Sequence, residues 1–120
     1  MKKNDIDKIK IQYINSAKEH RRASFSGDFK IANKEYKKLR KIFNDIQVNI
    51  IDRKFLIELL NGEELEVATW AAVHMLGLKF ETKRAVKLLD NVARNDDLGM
   101  LSFNAKMTLK VWKEKGELTF

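Results

Sequence analysis

A chain of 120 residues with no Cys, no Pro and five Gly has room for one domain with a core; it excludes disulfides and thiolate chemistry and favours long helices joined by short polar turns. No window approaches the length of a membrane span, so a soluble, cytoplasmic protein is expected. The net charge of +7 is unevenly spread: Lys and Arg against Asp and Glu stand at 13 to 5 in residues 1–43, 2 to 6 in 44–78 and 9 to 6 in 79–120, giving basic ends around an acidic middle.

The first helix is predicted from Asn4 or Asp5, either able to cap it, to about Arg22. Ile6, Ile9, Tyr13 and Ala17 form its apolar stripe, with Ile14 beside them. Ser24, Ser26 and Gly27 read as a turn with Phe25 tucked inward, and Asp28 is a good N-cap for the next element. The second helix, about Phe29 to Ile46, carries a heptad seam of Phe29, Ala32, Tyr36, Leu39, Phe43 and Ile46. The seam is too short to argue for a coiled-coil dimer, and packing on the first helix and a central stack is expected instead. Asn33, polar beside the seam, must be hydrogen-bonded if buried and reads as structural.

Gln47 to Asn49 reads as a break. Ile51, Phe55, Leu56, Leu59 and Leu60 mark a third, shorter helix that Asn61 and Gly62 end. The run from Leu65 to Leu78 is the most apolar in the chain: Val67, Ala68, Ala71, Ala72, Met75 and Leu76 recur at helical spacing, Trp70 and Val73 widen the surface, and Glu66 and Thr69 are the polar gap. A helix apolar on nearly all sides is a buried helix, so Ala72 is placed at the centre of the stack. Thr82 to Ala93 follows, with Ala85, Leu88, Leu89 and Val92 on one face. After a loop from Asn95 to Gly99, a last helix from Leu101 or Ser102 to Lys115 buries Ala105, Leu109 and Trp112, with Gly116 terminating it.

These elements predict an all-α single domain over residues 1–120, built of five or six helices. From Ile31 onward, the segments IANKEYKKL around Asn33, ATWAAVHML from Ala68 to Leu76 and FNAKMTLKVWKEKGEL from Phe103 to Leu118 resemble a family of small bacterial domains of unknown function with HEAT-like helical hairpins, sometimes encoded near toxin genes. The resemblance implies an α-α superhelix, a right-handed stack of helices, and a partner-binding role, with no reaction and no catalytic residues to carry over.

The sequence offers two surfaces. Lys30, Lys34, Lys37 and Lys41 stand opposite the seam at i, i+4, i+7 and i+11, a basic stripe that Lys106, Lys110 and Lys113 can continue. A charged stripe opposite an apolar seam is ordinarily a solvated face. Glu58, Glu63, Glu64 and Glu66 gather around the turn into the central helix, where Glu64 and Glu66 suit the positive pole of its dipole. His74, four residues after Trp70, reads as a packed residue rather than a base or ligand, and His20 as exposed. With two His and no Cys, no metal site is expected, and no phosphate loop, nucleophile elbow or dinucleotide fingerprint is present. The reading is a non-enzymatic protein-interaction module without a cofactor, possessing an immunity or regulatory role. The alternative is a nucleic-acid binder using the Lys stripe, with weak, non-specific, salt-sensitive binding.

Overall fold

The tight turn at Gly27 and Asp28 lets two long helices pack along each other, and the same local logic joins the elements further along the chain. The computed structural model describes residues 3–118, with side chains from residue 5 onward. Among them are α1 (Lys3–Ser26), α2 (Phe29–Gln47), α3 (Phe55–Leu60), α4 (Leu65–Gly77), α5 (Thr82–Arg94) and α6 (Met100–Lys115), with a 3-10 turn over Asp96–Leu98 and no strand. The fold class is all-α. By its internal contacts the chain divides into two compact units, one ending at Phe55 and the other beginning at Leu56.

In the first unit α1 packs against α2. Tyr13, Ser16, Ala17 and Ala23 are buried on α1, so the predicted stripe continues one turn past Arg22 and the helix runs on to Ser26. It is already helical at Lys3, so neither Asn4 nor Asp5 is its cap. The Tyr13 ring meets Phe55 edge to face, with centroids 5.8 Å apart at 80°, and burial pushes its phenol well above the ordinary range. Asp28 caps α2 as expected, its Oδ1 accepting the Ile31 N–H at 3.2 Å.

The buried face of α2 is Ala32, Glu35, Leu39, Ile42, Phe43 and Ile46. Four members of the predicted seam are there, but the face is rotated toward Glu35 and Ile42, which leaves Tyr36 half-buried and Phe29 outside. Asn33 is exposed, not buried, because that rotation carries its side of the helix into solvent.

Three helices end in the same hydrogen-bond pattern. After α1 the Asp28 N–H reaches the Ala23 carbonyl and Gly27 reaches Ser24; after α2 Ile50 reaches Asp45 and Asn49 reaches Ile46; after α4 Phe80 reaches Met75 and Lys79 reaches Leu76. These are Schellman motifs, which require a left-handed residue at the position just past the helix. That residue is Gly27 (φ 80°), Asn49 (φ 66°) and Lys79 (φ 55°). Gly116 (φ 70°) ends α6 by the simpler version, its N–H donating to Trp112 at 2.8 Å. Gly62, expected to cap α3, is not left-handed. That helix begins at Phe55 rather than Ile51, which is buried in the preceding loop.

In the second unit α4 packs against α5 and α6, and α5 against α6. Ala68, Ala71, Ala72, Met75 and Leu76 are fully buried, so the apolar run is core. The less covered strip of α4 is Glu66, Trp70, Val73 and Gly77, at i, i+4, i+7 and i+11. Thr69, read as part of the polar gap, is buried instead; its Oγ1 donates to the Leu65 carbonyl at 2.6 Å, which removes the penalty of an unmade bond. Ser102 Oγ likewise donates to the Ala93 carbonyl at 2.9 Å, tying the start of α6 to the end of α5. Ala105 and Leu109 are buried on α6, but Trp112, in its last turn, is only half-buried, contrary to its assignment to the core.

Candidate interaction surfaces

All four lysines of the predicted stripe are exposed on α2. At 100° per residue Lys30, Lys34, Lys37 and Lys41 fall within about 60° of arc, so they form one ridge. Arg40 is exposed beside them, and the acids of this helix are drawn inward: Glu35 is buried, and Asp45 is half-buried, 3.9 Å from Lys41. Every exposed ionisable group on α2 is therefore a cation.

Glu63 and Glu64 lie exposed in the turn before α4, in the other unit. Glu64 occupies the N-cap position in extended conformation without a side-chain cap bond. Acids there complement the helix dipole, which is sufficient to explain them.

His74 is buried beside Trp70, with ring centroids 5.5 Å apart at a 56° tilt. Burial pushes its pKa down to about 3, so the imidazole is neutral at physiological pH and sealed from any substrate. His20 is half-buried rather than exposed; burial lowers its pKa, opposed by the field of Glu35. Among the described residues no group of three or more His, Asp or Glu is placed to hold a metal ion, and no helix is long and apolar enough to cross a membrane.

Two apolar features escaped the sequence reading. Phe25, expected inward, is 92% exposed, and Phe29, placed in the seam, is 71% exposed. They flank the Gly27–Asp28 turn at one end of the α1–α2 hairpin. The reason is local: α1 continues through the expected turn, so Phe25 follows helical spacing onto the same outer face as Lys18, Arg21 and Arg22, which precede it at i−7, i−4 and i−3.

The second feature is on α6. Met100, Phe103 and Met107 are 64%, 55% and 43% exposed. With half-buried Val111 they stand at i, i+3, i+7 and i+11, an apolar stripe on the side away from Ala105 and Leu109. Between this stripe and α4 lies a shallow cleft of about 330 Å³, lined by Val73, Met107, Val111 and Leu118 with Lys115 and Glu117 at its rim. A stripe at this spacing is legible in the letters, but its neighbour Ala105–Leu109 competes for the role of buried face, and only packing decides between them.

No protein family, curated protein or solved structure matches the chain.

Proposed function

We propose that the chain is a non-enzymatic, cytoplasmic protein-interaction module, with an immunity or regulatory role, that docks an amphipathic helix of its partner on the outer face of α6. The observation carrying this reading is the exposed stripe of Met100, Phe103 and Met107, continued by half-buried Val111. Large apolar side chains on successive turns of one face are the complement of a helix laid into a groove, and flexible Met side chains adapt to such a ligand. Lys110 and Lys115 flank the stripe on opposite sides, which favours a partner helix with acidic margins. Consecutive helices packed in pairs also suit the HEAT-like family that the sequence resembles.

The test compares the wild type with a Met100→Ser, Phe103→Ser, Met107→Ser variant, first by capture from cell extract and then by direct titration of the captured protein's helical segment. Loss of that segment's binding in the variant, with helical content retained, is the expected result. Equal binding by both proteins would discard α6 as the docking face. A dimer in sedimentation that the variant dissolves would show the stripe to be a self-association surface instead.

A further inference from the structure

A second surface, on the other unit, points to a different ligand. We propose that the outer face of the α1–α2 hairpin binds single-stranded nucleic acid, with the phosphate backbone along Lys30, Lys34, Lys37, Arg40 and Lys41 and bases stacked on Phe29 and Phe25.

The electrostatic half of the argument is the segregation of charge. Residues 18–41 hold nine Lys and Arg against three Asp and Glu. Of those three acids, Glu35 is buried and accepts from Lys38 at 3.1 Å, Glu19 is held by Arg22, and Asp28 is engaged in capping α2. Eight of the nine cations are exposed, and the ninth, Lys38, is half-buried beside Glu35. From Lys30 to Lys41 the ridge runs roughly 16 Å along the helix, long enough for several consecutive phosphates. Neutralising each one releases counterions, and this drives binding without any base being read.

The aromatic half decides among polyanions. Phe25 and Phe29 place two rings in solvent at one end of this ridge. A ring beside a phosphate track offers a stacking platform to any unpaired base, whereas the stacked bases of a duplex present no free face to it. An anionic bilayer would also meet cations and Phe side chains. It would, however, engage only the hairpin tip, because Phe29 is the sole apolar residue on the exposed face of α2 between positions 29 and 47, and a helix lying in the interface needs an apolar side. Lys37, Arg40 and Lys41 would then go unused. An extended single strand uses the whole length.

The experiment is fluorescence anisotropy of a labelled 12-nucleotide homopyrimidine strand and of a 12-base-pair duplex, titrated with the protein from 50 to 200 mM salt. Four or five neutralised phosphates on a single strand give a log–log salt slope near −3 and about a 50- to 100-fold loss of affinity across that range. Replacing Lys30, Lys34, Lys37 and Lys41 by Gln should flatten the slope to shallower than about −1. Replacing Phe25 and Phe29 by Ala should weaken strand binding about tenfold or more while leaving the slope unchanged. A control with Lys83, Lys87, Lys110 and Lys113 changed to Gln removes the same charge from the other unit and should bind as the wild type. The proposal is overturned by duplex binding as tight as strand binding, by Phe variants that bind normally, or by a control that loses as much as the Lys variant. Co-sedimentation with anionic phosphatidylglycerol vesicles that excess strand does not displace would likewise overturn it, in favour of a membrane surface.

Discussion

Lys38 holds Glu35 by one oxygen only: its Nζ lies 3.1 Å from Oε1, while Oε2 is buried and has no hydrogen-bond partner among the described residues. A buried acceptor without a donor destabilises the fold, and an apolar side chain of similar shape removes that penalty. Lys38 is itself 40% exposed, so its ammonium returns to water at little cost. Glu35→Met is expected to raise stability by about 1 kcal/mol, read as a shift in the urea midpoint without a change in slope. A drop in the midpoint would mean that the carboxylate is satisfied in solution.

The neutral state of His74 makes stability depend on pH. Its folded pKa of about 3 lies below the ordinary value of 6.5, so the unfolded chain binds the extra proton across that interval and stability falls as pH falls from 6.5 to 3. The full effect is on the order of 5 kcal/mol. His74→Gln is expected to lower the melting temperature at pH 7 and to flatten this acid slope, with partner affinity unchanged; a parallel slope in both proteins would assign the acid sensitivity to other groups.

Lys79 is the one Schellman position among Gly27, Asn49 and Lys79 filled by a residue with no preference for left-handed backbone. Lys79→Gly removes the Cβ clash at the price of some unfolded-state entropy. A net gain of about 0.5 to 1 kcal/mol is expected, while Lys79→Ala keeps the strain and should gain nothing. Thermal unfolding of the pair checks this directly.

Ala72 has no accessible surface in the middle of α4. Ala72→Asp buries a charge with no partner and is expected to abolish folding, visible as loss of the helical circular dichroism signal. A soluble, fully helical variant would contradict the central position of this residue.

The helices were legible where capping chemistry and periodicity agree. Asp28 starts α2 and Gly116 ends α6 as the letters indicate, whereas α5 begins at Thr82 on periodicity alone, with Glu81 before it making no side-chain cap bond. Reading failed where a local choice depends on a neighbour. Glu35 looks like a surface residue from its charge, yet α2 turns it inward beside Leu39 and Ile42 and turns Asn33 out. Phe25 looks like core from its hydrophobicity, yet the extra turn of α1 carries it outward. Of the two proposed surfaces, the Lys ridge was visible as spacing. The rings beside it were not, and the α6 stripe shows in the spacing but not as surface, because hydropathy alone assigns such residues to an interior.

The packing of α1 on α2, α4 on α5 and α5 on α6 joins elements that are consecutive in the chain. Few loops must close over long distances before these contacts form, a topology associated with folding in microseconds to milliseconds. With no Pro in the chain, refolding has no prolyl isomerisation step to slow it. During synthesis at about 5 to 20 residues per second, the stretch that follows Phe55 takes several seconds to emerge. The basic hairpin therefore has time to form on the ribosome, surrounded by RNA, before the second unit has fully emerged.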